Sequence, residues 1–195
     1  MRKLLLFGLV AALGVLGISA VALASRSHDK GEGSGKARLD GYQEVVGGTG
    51  TASTGSVSTT GHGSFRFQIR DDPLRIHYVL KYEDMQGTTV SVSHLHFAQR
   101  HVGGGVSVFL CGGGGKPACT TPNGRFEGDI VAADVIGPAD QGIAAGELTE
   151  LIRAIRAGAV YANVHSQPQY AEGEIRGQLS GGGHGDHGDR KKDRH

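Results

Sequence analysis

Tryptophan is absent from this chain, methionine occurs twice and cysteine twice, while glycine reaches 34 of 195 residues. So much glycine with so few large aromatics excludes a helix-rich core. It fits many turns and short strands. No excess of one charge is present either: 20 Lys and Arg stand against 19 Asp and Glu. The basic surplus that marks a nucleic-acid-binding chain is therefore missing. Also missing are a nucleophile elbow, a Ser-His-Asp pattern, a phosphate loop and a C-x-x-C pair. The run Gly112–Gly115 has no following Lys-Ser or Lys-Thr, so it cannot serve as a phosphate loop.

Only one long apolar run occurs, at residues 4–23, behind Arg2 and Lys3 and ending in Ala22-Leu23-Ala24. A basic start, an apolar stretch and an A-x-A site predict a signal peptide over residues 1–24, cleaved before Ser25. The stretch is also just long enough to span a bilayer, so a retained N-terminal anchor is the other reading. Either way the rest of the chain is expected outside the cytoplasm: secreted, periplasmic or on the exterior of the cell envelope. Loss of Arg2 and Lys3 turns the net charge from +1 to about −1. Residues 25–36 read as a polar, glycine-rich linker, and residues 181–195 as a disordered His/Asp/Gly-rich tail. Between them, residues 37–180 make one domain.

Cys111 and Cys119 enclose a short glycine-rich loop. An even cysteine count in an exported chain predicts a disulfide, which contributes about 2–3 kcal/mol in the chain-entropy model.

The domain is expected to be mainly β. Strands are predicted at residues 37–46, 55–60, 64–70, 74–82, 89–97, 106–111, 126–132, 159–164 and 173–179. Phe65, Phe67 and Ile69 form one face of the third, and Leu74, Ile76, Tyr78 and Leu80 one face of the fourth. Short strands with turn residues between them predict an antiparallel sandwich or barrel. One amphipathic helix interrupts them. Leu148, Leu151, Ile152 and Ile155 fall on one helical face, with Glu147 and Glu150 at its start, Arg153 and Arg156 near its end, and Gly158 just beyond.

The candidate site is histidine-based. Residues i and i+2 of a strand project from one face, so His94 and His96 are neighbours. His165 ends the run Tyr161-Ala162-Asn163-Val164-His165 and shares a face with Tyr161 and Asn163. If the two strands meet, three neutral imidazoles could hold copper or zinc, with Tyr161 and Asn163 as hydrogen-bonding supports behind the ligands. Hydrogen-bonded structural histidines are the other reading. Val90 and Val92 are expected on the His94 face, making its beginning apolar. Glu174 and Arg176 share a face; paired, they would make a cross-strand or same-strand ion pair, modest at a surface. The tail histidines His184, His187 and His195 could chelate weakly.

Five motifs occur in an order that resembles the CHRD domain, named after chordin. They are residues 39–45, Ser93-His94-Leu95-His96-Phe97, Ile155-Arg156-Ala157-Gly158, Tyr161 to His165, and residues 173–178. Val46-Gly47 stands where members often carry proline. The resemblance implies an immunoglobulin-like β-sandwich, similar in outline to copper/zinc superoxide dismutases, with one short helix. It implies no general activity, and the antagonist role of chordin does not transfer to an isolated domain. His94 and His96 resemble the H-x-H copper pair of the dismutases, and His165 a later copper ligand. Their zinc subsite has no counterpart, so dismutase activity is not expected. The leading expectation is a non-enzymatic binding or structural module whose partner is a protein or an envelope component. It involves no nucleic acid, and meets membrane only if the N-terminal segment is retained. A three-histidine copper or zinc protein is the alternative.

Overall fold

The computed structural model describes residues 33–47 and 55–181; the predicted signal peptide and all of the predicted tail but Gly181 lie outside them. The described chain is mainly antiparallel β. Its strands are β1 (Gly33–Asp40), β2 (His62–Asp71), β3 (Leu74–Glu83), β4 (Thr89–Phe97), β5 (Gly105–Cys111), β6 (Gly124–Ile130), β7 (Val160–Gln167), β8 (Tyr170–Gln178) and β9 (Ser180–Gly181). The order across the sheet is β5-β4-β7-β8-β1-β2-β3-β6, with β9 beside β1.

Two four-stranded halves make up this sheet, and the pairing of Asp40 with Arg176 is the junction between β1 and β8. The halves face each other across one core. Phe65, Phe67, Ile76 and Leu80 enter it from one side, and Leu95, Val108, Val164 and Ile175 from the other. The Tyr78 hydroxyl donates to the Leu110 carbonyl at 3.1 Å, tying β3 to β5 across the sandwich. The alternation that predicted β2 and β3 is the observed burial pattern. Leu74 is the exception. It sits at the hairpin tip and is 37% exposed, while Tyr82 carries the buried row onward.

β6 lies two residues earlier than predicted, β7 ends three residues later and β8 begins three residues earlier, and the remaining departures are larger in consequence. The first strand runs from Gly33 to Asp40 rather than over residues 37–46, so the last four residues of the predicted linker belong to it. Gly33 and Ser34 pair with Ile69 and Gln68, and backbone pairing needs no apolar side chain to signal it. The strand stops because Asp40 accepts hydrogen bonds from the backbone N–H and the side-chain amide of Gln43, at 3.1 and 2.9 Å, which winds Gly41–Gln43 into a 3₁₀ turn. Residues 55–60 form no strand; a single bridge links Gly55 to Val46. At the other end, Gly181, read as the first tail residue, pairs with Gly35.

The helix α1 (Leu148–Arg156) buries Leu148, Leu151, Ile152 and Ile155, as its spacing requires. Gly158 follows with φ +69°, the left-handed conformation of a helix terminator. Cys111, the last residue of β5, is bonded to Cys119, with Cα atoms 5.2 Å apart. The loop between them turns at Gly112, Gly114 and Gly115, all at positive φ, which explains the glycine run.

Candidate metal centre

β4 and β7 are antiparallel neighbours, and their register sets His94 opposite Asn163, His96 opposite Tyr161 and Val92 opposite His165. All three histidines therefore stand on one face, turned away from the core between the half-sheets. A bulge keeps Val90 off that face. Val90 pairs with Ser166 and Val92 with His165, so Ser91 is an extra residue on β4. The bulge reverses the alternation: Val90 joins the core cluster with Leu95, while Val92, His94 and His96 point the other way. The expectation that Val90 shares the His94 face is thus overturned.

One nitrogen from each of His94, His96 and His165 lies within 4.8 Å of the others, and all three residues are buried. His94 Nδ1 is 3.3 Å from His165 Nε2. Two nitrogens each about 2.1 Å from one ion at a tetrahedral angle would stand about 3.4 Å apart. The edge of His94 also meets the Phe109 ring, at 4.6 Å between centroids.

Backbone carbonyls choose the tautomers. His96 Nδ1 lies 2.9 Å from the Gly104 carbonyl, and His165 Nδ1 lies 2.9 Å from the Ala171 carbonyl. Each Nδ1 must carry the hydrogen, so each Nε2 presents a lone pair. His96 Nε2 is buried without a hydrogen-bond partner. In the metal-free protein His94 Nδ1–H donates to His165 Nε2, since two facing lone pairs would repel. A metal ion would replace that proton, with His94 switching to its other tautomer.

Burial is the main force holding these rings neutral. It pulls His94 down to about 3, helped by His165 and then His96. It pulls His96 to about 4, against the opposing pull of its bond to Gly104. His165 is lowered too, again chiefly by burial and against its bond to Ala171. Three neutral nitrogen donors near neutral pH are what a transition metal requires, and the orphaned His96 Nε2 fits one.

The predicted supports take different parts. Tyr161 makes no hydrogen bond to a histidine. Its ring stacks on His96 with centroids 4.7 Å apart, and its hydroxyl accepts from Gly104 N–H at 3.4 Å. Gly104 in turn holds His96, and a Cβ there would overlap the Phe97 carbonyl oxygen. Asn163 is buried between β4 and β8, with Oδ1 unpartnered.

Glu44 and Arg176 were not singled out for the site. The reading of Glu174 and Arg176 as a surface ion pair is wrong on both counts. Both are buried, and neither bonds the other. The Arg176 guanidinium lies 3.4 Å from the Tyr161 ring centroid and donates through Nη2 to the carbonyls of Gln99 and Val102, at 3.1 and 2.9 Å. Glu174 accepts from Thr59 Oγ1 at 2.6 Å, from Gln86 N–H at 2.7 Å and from the Ser166 hydroxyl. Burial pushes the Glu44 carboxyl up to about 7, against the pull of Val45 N–H, Arg176 and Asn163. Glu44 Oε2 and Arg176 Nη1 are further buried atoms without partners. The motif of residues 39–45 that carries Glu44 was visible in the sequence. Its approach to β7 and β8 was not.

The family model for the CHRD domain matches residues 36–179. The chain belongs to the CHRD domain family. No curated protein and no solved structure matches it. Four of the five motifs that carried the resemblance supply the buried polar layer of this CHRD domain or the strands beneath it. The fifth, Ile155 to Gly158, ends α1.

Proposed function

We propose that this CHRD domain is a non-enzymatic binding module on the exterior side of the cell envelope, and that the species it binds is a transition metal ion, copper before zinc. The observation that carries this reading is the convergence of three neutral imidazole nitrogens within 4.8 Å in a buried setting. His94 Nδ1, His96 Nε2 and His165 Nε2 would be the ligands. Copper comes first because nitrogen sites favour divalent copper over zinc. The set also lacks the fourth protein ligand of a structural zinc site. The ion would supply a positive charge and an open coordination position. The protein holds the ligand tautomers through Gly104 and Ala171 and excludes bulk water. The Cys111–Cys119 disulfide supports an oxidising compartment. The apolar residues 4–23 support export.

Untagged full chain, incubated with copper and with zinc, is expected to retain one copper per chain after gel filtration. At a free metal concentration about 100-fold above the dissociation constant, binding adds about 2.7 kcal/mol, so the melting temperature should rise by roughly 5–10 °C. His94→Ala with His96→Ala should abolish both effects. Undiminished stoichiometry in that double variant would move the binding to the tail histidines and end the proposal for the strand site.

A further inference from the structure

The second half-sheet carries an unusual arrangement of charge on its outer face. Its register sets Lys36 opposite Arg66, Arg70 opposite Arg75, and Lys81 opposite Arg125. Like charges directly opposite one another destabilise a sheet. Three such pairs on one face cost stability that nothing local returns in full. On β6, Glu127 pairs with Arg125 at 2.6 Å and Asp129 with Arg75 at 3.3 Å. Neither carboxylate reaches the inner cations: Lys36, Arg66, Arg70 and Lys81 form no ion pair among the described residues. All four are exposed. Beside them runs a groove of about 710 Å³, lined by Lys36, Arg66, Arg70 and His77 and bordered by Ser180 and Gly181 of β9. Glu127 and Asp129 also flank His77, at 3.5 and 2.9 Å, so the near-neutral composition conceals a face with an excess of cations concentrated on β1 and β2 and on Lys81.

We propose that this face binds an acidic polysaccharide, a linear sugar chain bearing carboxylate or sulfate groups. Each cation pair spans two strands about 4.7–4.9 Å apart, and the three pairs lie in separate rows of the face, which suits an extended ligand with repeated anionic groups. Among the described residues the face offers no exposed aromatic ring on which a nucleobase could stack. Its apolar exposure is limited to half-buried Val79, too little to enter a bilayer. The site stands on the opposite half-sheet from the histidines and does not depend on metal.

The test uses the full chain on immobilised polygalacturonate and dextran sulfate, with anionic lipid vesicles as a third surface. The wild type is expected to be retained on the polysaccharides and released by salt. The triple variant Lys36→Gln, Arg66→Gln, Lys81→Gln should lose on the order of tenfold in affinity, while Arg153→Gln on α1 should not. Its melting temperature should hold or rise, because like-charge pairs have been removed. Exchange of Arg66 for Lys should preserve binding. Equal retention of the triple variant and the wild type, or wild-type binding to vesicles alone, would overturn the proposal.

Discussion

At the scale of single residues, the histidines and Glu44 impose opposite dependences of stability on pH. An unfolded histidine takes up a proton near its ordinary value of 6.5, whereas folded His94 and His96 resist until about pH 3 and 4. Between those limits the unfolded chain holds more protons, so stability rises with pH. Glu44 acts in reverse. Folded, it keeps its proton up to about pH 7, while its unfolded form loses it near 4.5, so it removes stability as pH rises through that window. The histidines outnumber the single carboxyl. The metal-free protein is therefore expected to melt at increasing temperature from pH 4 to 6.5. Glu44→Gln should steepen that rise, and His94→Asn with His96→Asn should flatten it. Thermal melts across this range provide the measurement, and a flat wild-type profile would contradict the burial argument.

At the scale of elements, one extra residue of β4 lets the strand bury Val90 while its histidines face outward. The pairing of β4 with β7 accommodates Ser91 as an extra residue, and the histidines follow it on the outer face. Deleting Ser91 leaves Val90 opposite Ser166 and Val92 opposite His165 in a regular ladder, so Val90 stays on the core face and His94 and His96 stay on the outer one. The deletion variant should therefore retain one metal per chain, with a loss of stability limited to the reshaped start of β4, about 1 kcal/mol in chemical denaturation. Loss of the metal would show that the bulge itself, and not the register with β7, orients the ligands. The spacing H-x-H was legible in the sequence, and so was the shared face of Tyr161, Asn163 and His165. The bulge was not, because both Val90 and Val92 are apolar and no proline or glycine interrupts the strand. The break between Val164 and Ser166 in the pairing of β7 with β8, which lies opposite the Ala171 carbonyl, was equally silent.

At the scale of the whole molecule, Arg176 links the site to the architecture. Its backbone makes the pairing with Asp40 that connects the half-sheets, and its side chain holds the carbonyls of Gln99 and Val102 beside Gly104. Removing one partner from such a buried charged network costs about 3–5 kcal/mol, because the remaining groups are left without solvent or partner. Arg176→Met is therefore expected to lower stability by that order in chemical denaturation. It should also weaken metal binding, since the segment that positions His96 loses its brace. A variant within about 1 kcal/mol of wild type would assign Arg176 no structural role.

Local pattern sufficed for much of this protein. Alternation in β2 and β3, helical spacing in α1 and the glycines of the disulfide loop each express an interaction between residues near in sequence, so the sequence alone determined them. Its motif order also determined membership of the CHRD domain family. The start of β1 at Gly33 escaped this reading, since Gly33 and Ser34 contribute backbone hydrogen bonds and no apolar face. The tertiary structure decided what depends on register between distant strands. It set three imidazoles within reach of one another, buried Glu44 and Arg176 beside them, and aligned Lys36, Arg70 and Lys81 with cations on adjacent strands. The physical reason is the same in each case. Burial and electrostatic contact act through space over a few ångströms, and in an antiparallel sandwich those neighbours come from segments as much as 144 residues apart, as Lys36 and Ser180 are.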